Sequence, residues 1–300
     1  MAQHPLRIAI LSLALLTPTI AFATQPVTLT HSYGLVYSAD GRQLIITSDQ
    51  GLAIHSGGRW STAAGAAHEF KSLAASRDAL ISSGHPAPES NIADPMGLIK
   101  STDGGKTWRK LGLHGESDFH TLAASLRVNV VYASNRQPNS RMGRTGIHYT
   151  LDNGVRWRRA EAKGLGGPIH QLAAHPSDPR MVAAASDAGL YFSRNHADTF
   201  HRLGDPGFVL AVSFDVDGEH VWFSGYSAEK PSLRRIRLTS GATADDVALP
   251  LEDDDAVARI AQNPVRSTEI AIATFKRNVF VSHDLGKTWV QIAFAGTTTR

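Results

Sequence analysis

The sequence predicts an all-β protein that folds as a six-bladed β-propeller of four-stranded antiparallel blades, with seven blades as the alternative. The first observation behind this prediction is a tight-turn motif that occurs several times in the chain. The second is a turn followed by a short apolar strand, found upstream of each copy of that motif. The turn motif recurs at intervals of 43 to 49 residues, a period typical of propeller blades with four short strands.

The clearest copy of the turn motif is the octapeptide 101–108, Ser-Thr-Asp-Gly-Gly-Lys-Thr-Trp, between two strand-like segments. An aspartate in such a turn accepts hydrogen bonds from backbone amides further along, and glycines supply the positive φ that tight hairpins need. We therefore predict that these aspartates cap turns and are structural. Three near-complete copies, here named box turns, share this aspartate and a tryptophan five residues later: Asp103 and Trp108, Asp152 and Trp157, and Asp284 and Trp289.

Three weaker copies complete a series of six turns, and they lie at residues 55–60, 193–200 and 239–241. The upstream turn-and-strand units are also six in number, and they lie at residues 40–46, 77–81, 127–132, 178–183, 217–223 and 263–272. Because the two series alternate along the chain, each blade is predicted to run strand, turn, strand, loop, strand, box turn, strand.

The box turns resemble the Asp-box (BNR) repeat of the sialidase superfamily and related propellers. The wider pattern, carried by residues 84–88, 115–120 and 270–275, resembles a bacterial family of exported proteins described as glycosylhydrolase-like. The resemblance covers nearly the whole chain after its first 23 residues and implies a sialidase-like β-propeller. Asp-box propellers that assist photosystem assembly have the same type of repeat, so the repeat by itself does not imply hydrolysis.

Resemblance to sialidases would also imply an arginine triad on the substrate carboxylate, an early Arg-Ile-Pro motif and a tyrosine–glutamate nucleophile pair. This chain has Arg-Ile pairs at residues 7–8, 235–236 and 259–260, and none is followed by proline. Tyr226 precedes Glu229 in one loop, but this proximity alone does not identify a nucleophile pair. We therefore expect the repeat without sialidase activity.

Residues 1–23 are predicted to be a secretory signal peptide, and residues 24–300 a single propeller domain. The signal combines a basic start at Arg7, an apolar run over residues 8–16 and a small-residue cleavage site at residues 21–23. The apolar run is shorter than the roughly 20 residues that span a bilayer. We therefore expect no membrane span and a periplasmic or secreted protein.

The chain of 300 residues has no cysteine, and its formal net charge of +3 comes from mixed charges of both signs. Disulfides and thiol chemistry are therefore excluded, and stability must come from burial and ring closure. Aromatic residues are not interleaved with basic runs, so we expect no nucleic-acid partner. We predict a monomer that requires no cofactor and whose partner is a protein or a glycan.

The candidate site lies on the face where the innermost strand of each blade begins. The apolar anchors of these strands are Leu35, Leu73, Leu122, Leu172, Val212 and Ile260. Side chains alternate along a strand, so aligning the anchors places one residue of each blade at an equivalent inner position: Tyr33, Lys71, His120, His170, Leu210 and Ala258.

Two unusually long loops, 85–96 and 135–144, are predicted on the same face. Long loops on a rigid scaffold commonly contain binding groups. The inner positions and these loops together give the predicted ligand-binding residues, which are Tyr33, Lys71, His85, His120, Arg141 and His170.

Three functions remain open for this face. The first is a non-catalytic binding or assembly module. The second is a glycoside hydrolase with Glu116 and Asp118 as catalytic candidates, since glycosidases use two carboxyl groups about 5 to 10 Å apart. The third is a divalent-metal site formed by His31, His120 and His170, whose imidazoles are suitable ligands.

The electrostatics of the face should discriminate between hydrolysis and binding. A close pair of carboxyl groups, one of them with a raised pKa, favours the hydrolase. A cluster of histidines or arginines without such a pair favours binding. We expect binding, because the sequence contains no complete catalytic set.

Overall fold

The computed structural model describes residues 27–239 and 243–299, and these residues form strands, turns and loops. The predicted signal peptide, and most of the weak turn at 239–241, lie outside the described residues. Within residues 27–239 and 243–299 no helix is long and apolar enough to cross a bilayer. Six antiparallel sheets follow one another along the chain. The six-bladed β-propeller is confirmed, and the seven-bladed alternative is wrong.

The first three blades each contain four strands, ordered in the sheet as in the sequence. Blade 1 contains β1 (Leu35–Tyr37), β2 (Leu44–Ser48), β3 (Gly51–Ser56) and β4 (Arg59–Thr62). Blade 2 contains β5 (Glu69–Ala75), β6 (Leu80–His85), β7 (Leu98–Ser101) and β8 (Arg109–Gly112). Blade 3 contains β9 (Leu122–Ala124), β10 (Val131–Asn135), β11 (Gly146–Thr150) and β12 (Arg158–Arg159).

The last three blades repeat this order, and the sixth adds one short outer strand. Blade 4 contains β13 (Ile169–Ala174), β14 (Val182–Ser186), β15 (Gly189–Ser193) and β16 (His201–Leu203). Blade 5 contains β17 (Val209–Phe214), β18 (His220–Ser227), β19 (Lys230–Arg237) and β20 (Ala244–Val247). Blade 6 contains β21 (Val257–Gln262), β22 (Ile270–Thr274), β23 (Val279–Ser282), β24 (Val290–Phe294) and β25 (Thr297–Thr298).

The innermost strands form a closed ring around an axial channel. Each of them contacts the innermost strands of both neighbouring blades, and β21 of blade 6 contacts β1 of blade 1. Six hydrophobic clusters pack between adjacent blades. Strands β2 and β22 are buried along their whole length, because a blade has a neighbour on each face. The six predicted anchors line one axial cavity of about 160 Å³.

Each box turn is held together by its aspartate. Asp103 Oδ1 accepts a hydrogen bond from Thr107 N (3.0 Å), and Oδ2 accepts one from Thr107 Oγ1 (2.6 Å). The equivalent backbone donors are Arg156 N for Asp152 and Thr288 N for Asp284, both at 2.8 Å. In each turn the donor is the fourth residue after the aspartate. Hydrogen bonds from this residue are the main reason why the pKa of each of the three aspartates is lowered to about 2.

The box turns also pack against the preceding blade. Gly105 has a φ of 90°, and a side chain at this position would collide with Leu52 of blade 1. Trp108 lies over Phe70 with ring centroids 4.9 Å apart. The glycines at the same position in the other two turns likewise meet the preceding blade, Gly154 at Leu98 and Gly286 at Val247. The remaining tryptophans pack nearby, with Trp157 at 5.8 Å from Phe119 and Trp289 Nε1 donating to the Ala248 carbonyl at 2.8 Å.

The seam between blades 6 and 1 is closed by the segment 27–29. Leu29 N donates to the Gly296 carbonyl (2.7 Å), and Thr298 N donates to the Val27 carbonyl (3.3 Å). The Leu29 side chain is 1% exposed and belongs to a cluster with residues of both blades. The chain therefore closes its ring by pairing an early segment with the outer hairpin of the last blade.

A network of hydrogen bonds also joins blades 6 and 1 near the first turn of each blade. The Gly41 carbonyl of blade 1 accepts hydrogen bonds from Asn263 Nδ2 and Arg266 Nη2 of blade 6, both at 2.8 Å. Glu269 is 5% exposed and accepts from Arg266 Nε (2.8 Å) and Asn263 Nδ2 (2.8 Å). Burial opposes its charge, but these hydrogen bonds outweigh burial and lower the pKa of Glu269 from 4.5 to about 2.

The variant Glu269→Gln is expected to weaken the dependence of stability on acid. Because the pKa of Glu269 is lower in the folded state, its contribution is complete above about pH 4.5 and is lost as the pH falls toward about 2. Urea unfolding between pH 7 and pH 2.5 should show a shallower loss in the variant, by up to about 1.4 kcal/mol per pH unit. The box-turn aspartates also have lowered pKa values, but they are present in both the wild type and the variant, so their effect cancels in the comparison. Identical pH profiles would contradict this assignment.

The variant Leu29→Ala is expected to lower the free energy of unfolding by about 2–5 kcal/mol, because it leaves a cavity in the closing cluster. Urea denaturation followed by tryptophan fluorescence measures this change. Val265→Ala is the control, since that side chain is 63% exposed and its loss should change stability by less than about 0.5 kcal/mol. Equal stabilities of the two variants would show that Leu29 does not help to close the ring.

Candidate ligand-binding site at the channel mouth

The channel mouth is the surface around the axis where the innermost strands begin. A β-bulge interrupts four of these strands there, and the extra residues are Lys71, His170, Leu210 and Ala258. Tyr33 and His120 precede β1 and β9 at the matching distance from their anchors. Bulges re-aim side chains next to binding sites in many sheets. The loops between second and third strands surround these six positions.

The first group of side chains at the mouth is centred on Tyr33. The ammonium of Lys71 lies 4.9 Å from the centroid of the Tyr33 ring and pairs with Glu69. Burial opposes the Lys71 charge, but Glu69, Tyr33 and Asp49 together outweigh burial and raise the pKa of Lys71. His31 stacks on Tyr33 with centroids 5.2 Å apart, and His31 Nδ1 lies 2.8 Å from Asp49 Oδ2.

The second group joins the long loop of blade 2 to the segment that precedes blade 3. His85 Nδ1 lies 2.6 Å from Asp94 Oδ1. Asp118 Oδ2 lies 2.7 Å from His120 Nε2 and 3.6 Å from His85 Nε2. Two carboxylates therefore lie on opposite sides of the His85 ring, and Asp118 connects His85 to His120.

The third group lies at blade 4 and reaches blade 5. His170 Nε2 lies 2.5 Å from Asp187 Oδ1, which belongs to the short loop after β14. The His170 ring meets Phe208 edge-on with centroids 4.9 Å apart. Each of these four histidines is thus paired with at least one aspartate, which fixes the orientation of the imidazole, and His85 has a carboxylate at each of its two nitrogens.

The remaining part of the mouth combines apolar and charged side chains. Its inner positions are Leu210 in blade 5 and Ala258 in blade 6, and three exposed aromatic residues belong to the segments that reach this face. Phe208 precedes β17, Tyr226 lies near the end of β18 and Phe275 follows β22; their exposed fractions are 39%, 44% and 61%. The exposed aromatic side chains of the mouth therefore lie at blades 5 and 6, here called the aromatic half, where the ion pairs Lys230–Asp253 and Lys276–Asp254 also occur.

Two predicted site residues lie outside these groups. Glu116 is exposed and accepts hydrogen bonds from Ser140 N (2.7 Å) and Ser140 Oγ (2.9 Å), which lower its pKa. The Arg141 guanidinium donates to the Gly154 carbonyl in the box turn of blade 3. Both residues hold loop 135–144 against its neighbours. The carboxyl groups with a shifted pKa in residues 27–239 and 243–299 are all lowered, as at Glu116.

The predicted metal ligands are separated by the fold. His31, His120 and His170 belong to three different groups, each with its own aspartate. In the described part of the chain, the one set of three ligating side chains close enough to share an ion is Asp215, Asp217 and His220. That set lies at the first turn of blade 5, away from the mouth, and Asp215 is already paired with Arg235 at 2.6 Å.

Sequence analysis missed Asp49, Asp187 and Phe275. All three lie between a second and a third strand, where the loops of blades 1, 4 and 6 are short. Loop length directed attention to residues 85–96 and 135–144. The strand order could have found these three residues, because every connection between second and third strands reaches the same face whatever its length.

Comparisons with known proteins support the fold. A scan against models of protein families and a search of curated proteins give no match. Among solved structures, a GH74 enzyme of Niastella koreensis superposes with a TM-score of 0.58 at 14% identity, covering 89% of this chain and 46% of the enzyme. An ancestral GH74 enzyme gives 0.54 at 13% identity, covering 90% of this chain and 39% of the enzyme. YCF48 from Cyanidioschyzon merolae gives 0.50 at 16% identity, covering 93% and 88%.

These three structures establish what this chain resembles in shape. The chain spans less than half of the length of the two GH74 enzymes. At such low identities the likeness concerns the fold alone, and one propeller fold serves many unrelated functions. Function must therefore be argued from the side chains at the mouth.

Proposed function

We propose that the protein is an exported, non-catalytic binding or assembly module that holds a polypeptide at its channel mouth. The observation that supports this proposal is the division of the mouth into two halves. Blades 1–4 present charged pairs without exposed aromatic residues, whereas blades 5 and 6 present Phe208, Tyr226 and Phe275 to solvent beside ion pairs of their own. Such a surface matches a segment with an apolar anchor beside charged residues, because protein interfaces combine buried aromatic anchors with a polar rim.

A polypeptide fits the aromatic half better than a glycan does. Two of its three aromatic residues are phenylalanines, which offer apolar area without a hydrogen-bonding group. The exposed aromatic side chains in the described chain are these three and Phe294. Three of the four therefore lie at the mouth, as expected for a surface that a partner covers.

Export and family membership belong to the same proposal. The apolar stretch 8–16 and the Ala-Phe-Ala site at residues 21–23 support passage into the periplasm or beyond. The box turns, with aspartates that accept hydrogen bonds from the fourth following residue, support a place among Asp-box propellers of the sialidase superfamily. We propose that the mature protein acts as a monomer.

The binding proposal is tested with arrays of random 12-residue peptides and of glycans, probed with residues 24–300. We expect selection of peptides that carry an aromatic or aliphatic residue next to charged residues. Phe275→Ser should weaken binding of a selected peptide at least about tenfold, the loss typical of an interface anchor. Phe294→Ser is the matched control, because Phe294 belongs to the same blade and is 65% exposed against 61% for Phe275.

The outcomes separate the possible partners. Equal affinities of the two variants would contradict a role for the aromatic half. Selective binding to a sugar class, with no peptide selected, would replace the polypeptide by a glycan as the partner.

A glycoside hydrolase remains the second candidate, favoured by the two carboxylates of Asp94 and Asp118 around His85. Hydrolysis by two carboxyl groups needs one that remains protonated near neutral pH. We expect no turnover of chromogenic glycosides above the buffer blank, by absorbance at pH 5 to 8. Turnover that Asp118→Asn abolishes and Glu116→Gln preserves would replace the binding proposal by the hydrolase.

A further inference from the structure

Arg259 lies at the seam between blades 6 and 1, beside the channel mouth. It follows the bulge residue Ala258 on β21, and its guanidinium is held by two backbone carbonyls. Arg259 Nε donates to the Tyr33 carbonyl (2.9 Å), and Nη1 donates to the Ala258 carbonyl (2.6 Å). The planar group is therefore fixed in place, and its Nη2 has no hydrogen-bond partner among the described residues.

The charge of Arg259 has no carboxylate partner in the described residues. Five lysine and arginine side chains there are half-buried, namely Lys71, Lys100, Arg234, Arg235 and Arg259. Four of them have a carboxylate within 4.0 Å: Glu69, Asp78, Asp246 and Asp215, respectively. Burial without such a partner lowers the pKa of Arg259 to about 10. A half-buried cation is costly unless an anion compensates it.

A hydrogen bond between neighbouring blades at this position does not require a charged side chain. The residue at the same position of β13 in blade 4 is Gln171, which also follows a bulge residue. Gln171 Oε1 accepts a hydrogen bond from Val212 N of the next blade at 3.1 Å. A neutral side chain thus joins blades 4 and 5 where Arg259 joins blades 6 and 1. The positive charge of Arg259 is therefore not needed for the contact between blades.

We propose that Arg259 binds a carboxylate group at the edge of the channel mouth, with Lys71, which is itself paired with Glu69, as a second cation beside Tyr33. The two cations flank Tyr33, with Arg259 at its carbonyl and the Lys71 ammonium 4.9 Å from its ring centroid. The fork of an arginine matches a carboxylate in a bidentate manner. In the polypeptide complex proposed above, on which this ligand assignment rests, the group would be an acidic side chain or a chain end.

The subsite is tested first with acetate and formate, using thermal unfolding at constant ionic strength with chloride as the replaced anion. We expect a saturable rise in melting temperature, of about 2 °C at five times the dissociation constant. Arg259→Gln should remove this rise while the protein still folds, because a glutamine already serves this position in blade 4. Lys71→Gln should reduce the rise. Arg234→Gln is the control, a half-buried arginine paired with Asp246, and it should keep the rise.

A rise that persists unchanged in Arg259→Gln would overturn the subsite, and so would the absence of any rise in the wild type. The source of the carboxylate is separated by comparing peptides that contain glutamate or glutamine, and galacturonate with galactose. Loss of the acetate effect in Arg259→Gln with no peptide binding at all would retain the subsite and reject the polypeptide partner. Peptide binding that Arg259→Gln leaves intact would retain the polypeptide partner and reject the subsite.

Discussion

Ring closure between blade 6 and blade 1 is the constraint on which the rest of the structure depends. A blade buries both of its faces, so each needs a neighbour on either side, and the last must find the first. The chain meets this need with Leu29 in the closing cluster and with Asn263 and Arg266 on the Gly41 carbonyl. Without cysteine, packing and buried hydrogen bonds are the means available. An axis lined by six strands exists only once this seam is shut.

Closure also explains why the mouth can be asymmetric. The scaffold places six equivalent positions around one axis, and the sequence fills them differently, with Lys71 and His170 on one side and Leu210 and Ala258 on the other. Packing below the mouth is unaffected, because the anchors such as Leu73 remain apolar all round. The fold thus separates the residues that keep it stable from those that meet a ligand.

The fold could be predicted because its signals are local. The hydrogen bonds of Asp103 lie within five residues, and the count of six turns and six turn-and-strand units predicted six blades, with seven as the alternative. Much of the site could not be read this way, because its pairs join distant segments: His170 meets Asp187 across a hairpin, and Glu116 meets Ser140 of another loop. The equivalent inner positions were predictable from the anchors. Their partners depend on how far each loop extends, which the repeat does not encode.

The packing of the box turns has a consequence for the order in which the blades are made. Gly105 rests on Leu52 of blade 1, and Gly286 on Val247 of blade 5, so a newly synthesised blade docks on one that already exists. Blade 1 differs from the others, because its neighbour on the corresponding side is blade 6, which comes last in the sequence. A side chain at Gly57 or Gly58 of its shortened turn would meet no other atom, and the contact with blade 6 is made instead by Trp60, whose Nε1 donates to the Ile292 carbonyl at 3.0 Å. Contacts of the box-turn glycines therefore all run in one direction along the chain, each to the blade that precedes it in the sequence.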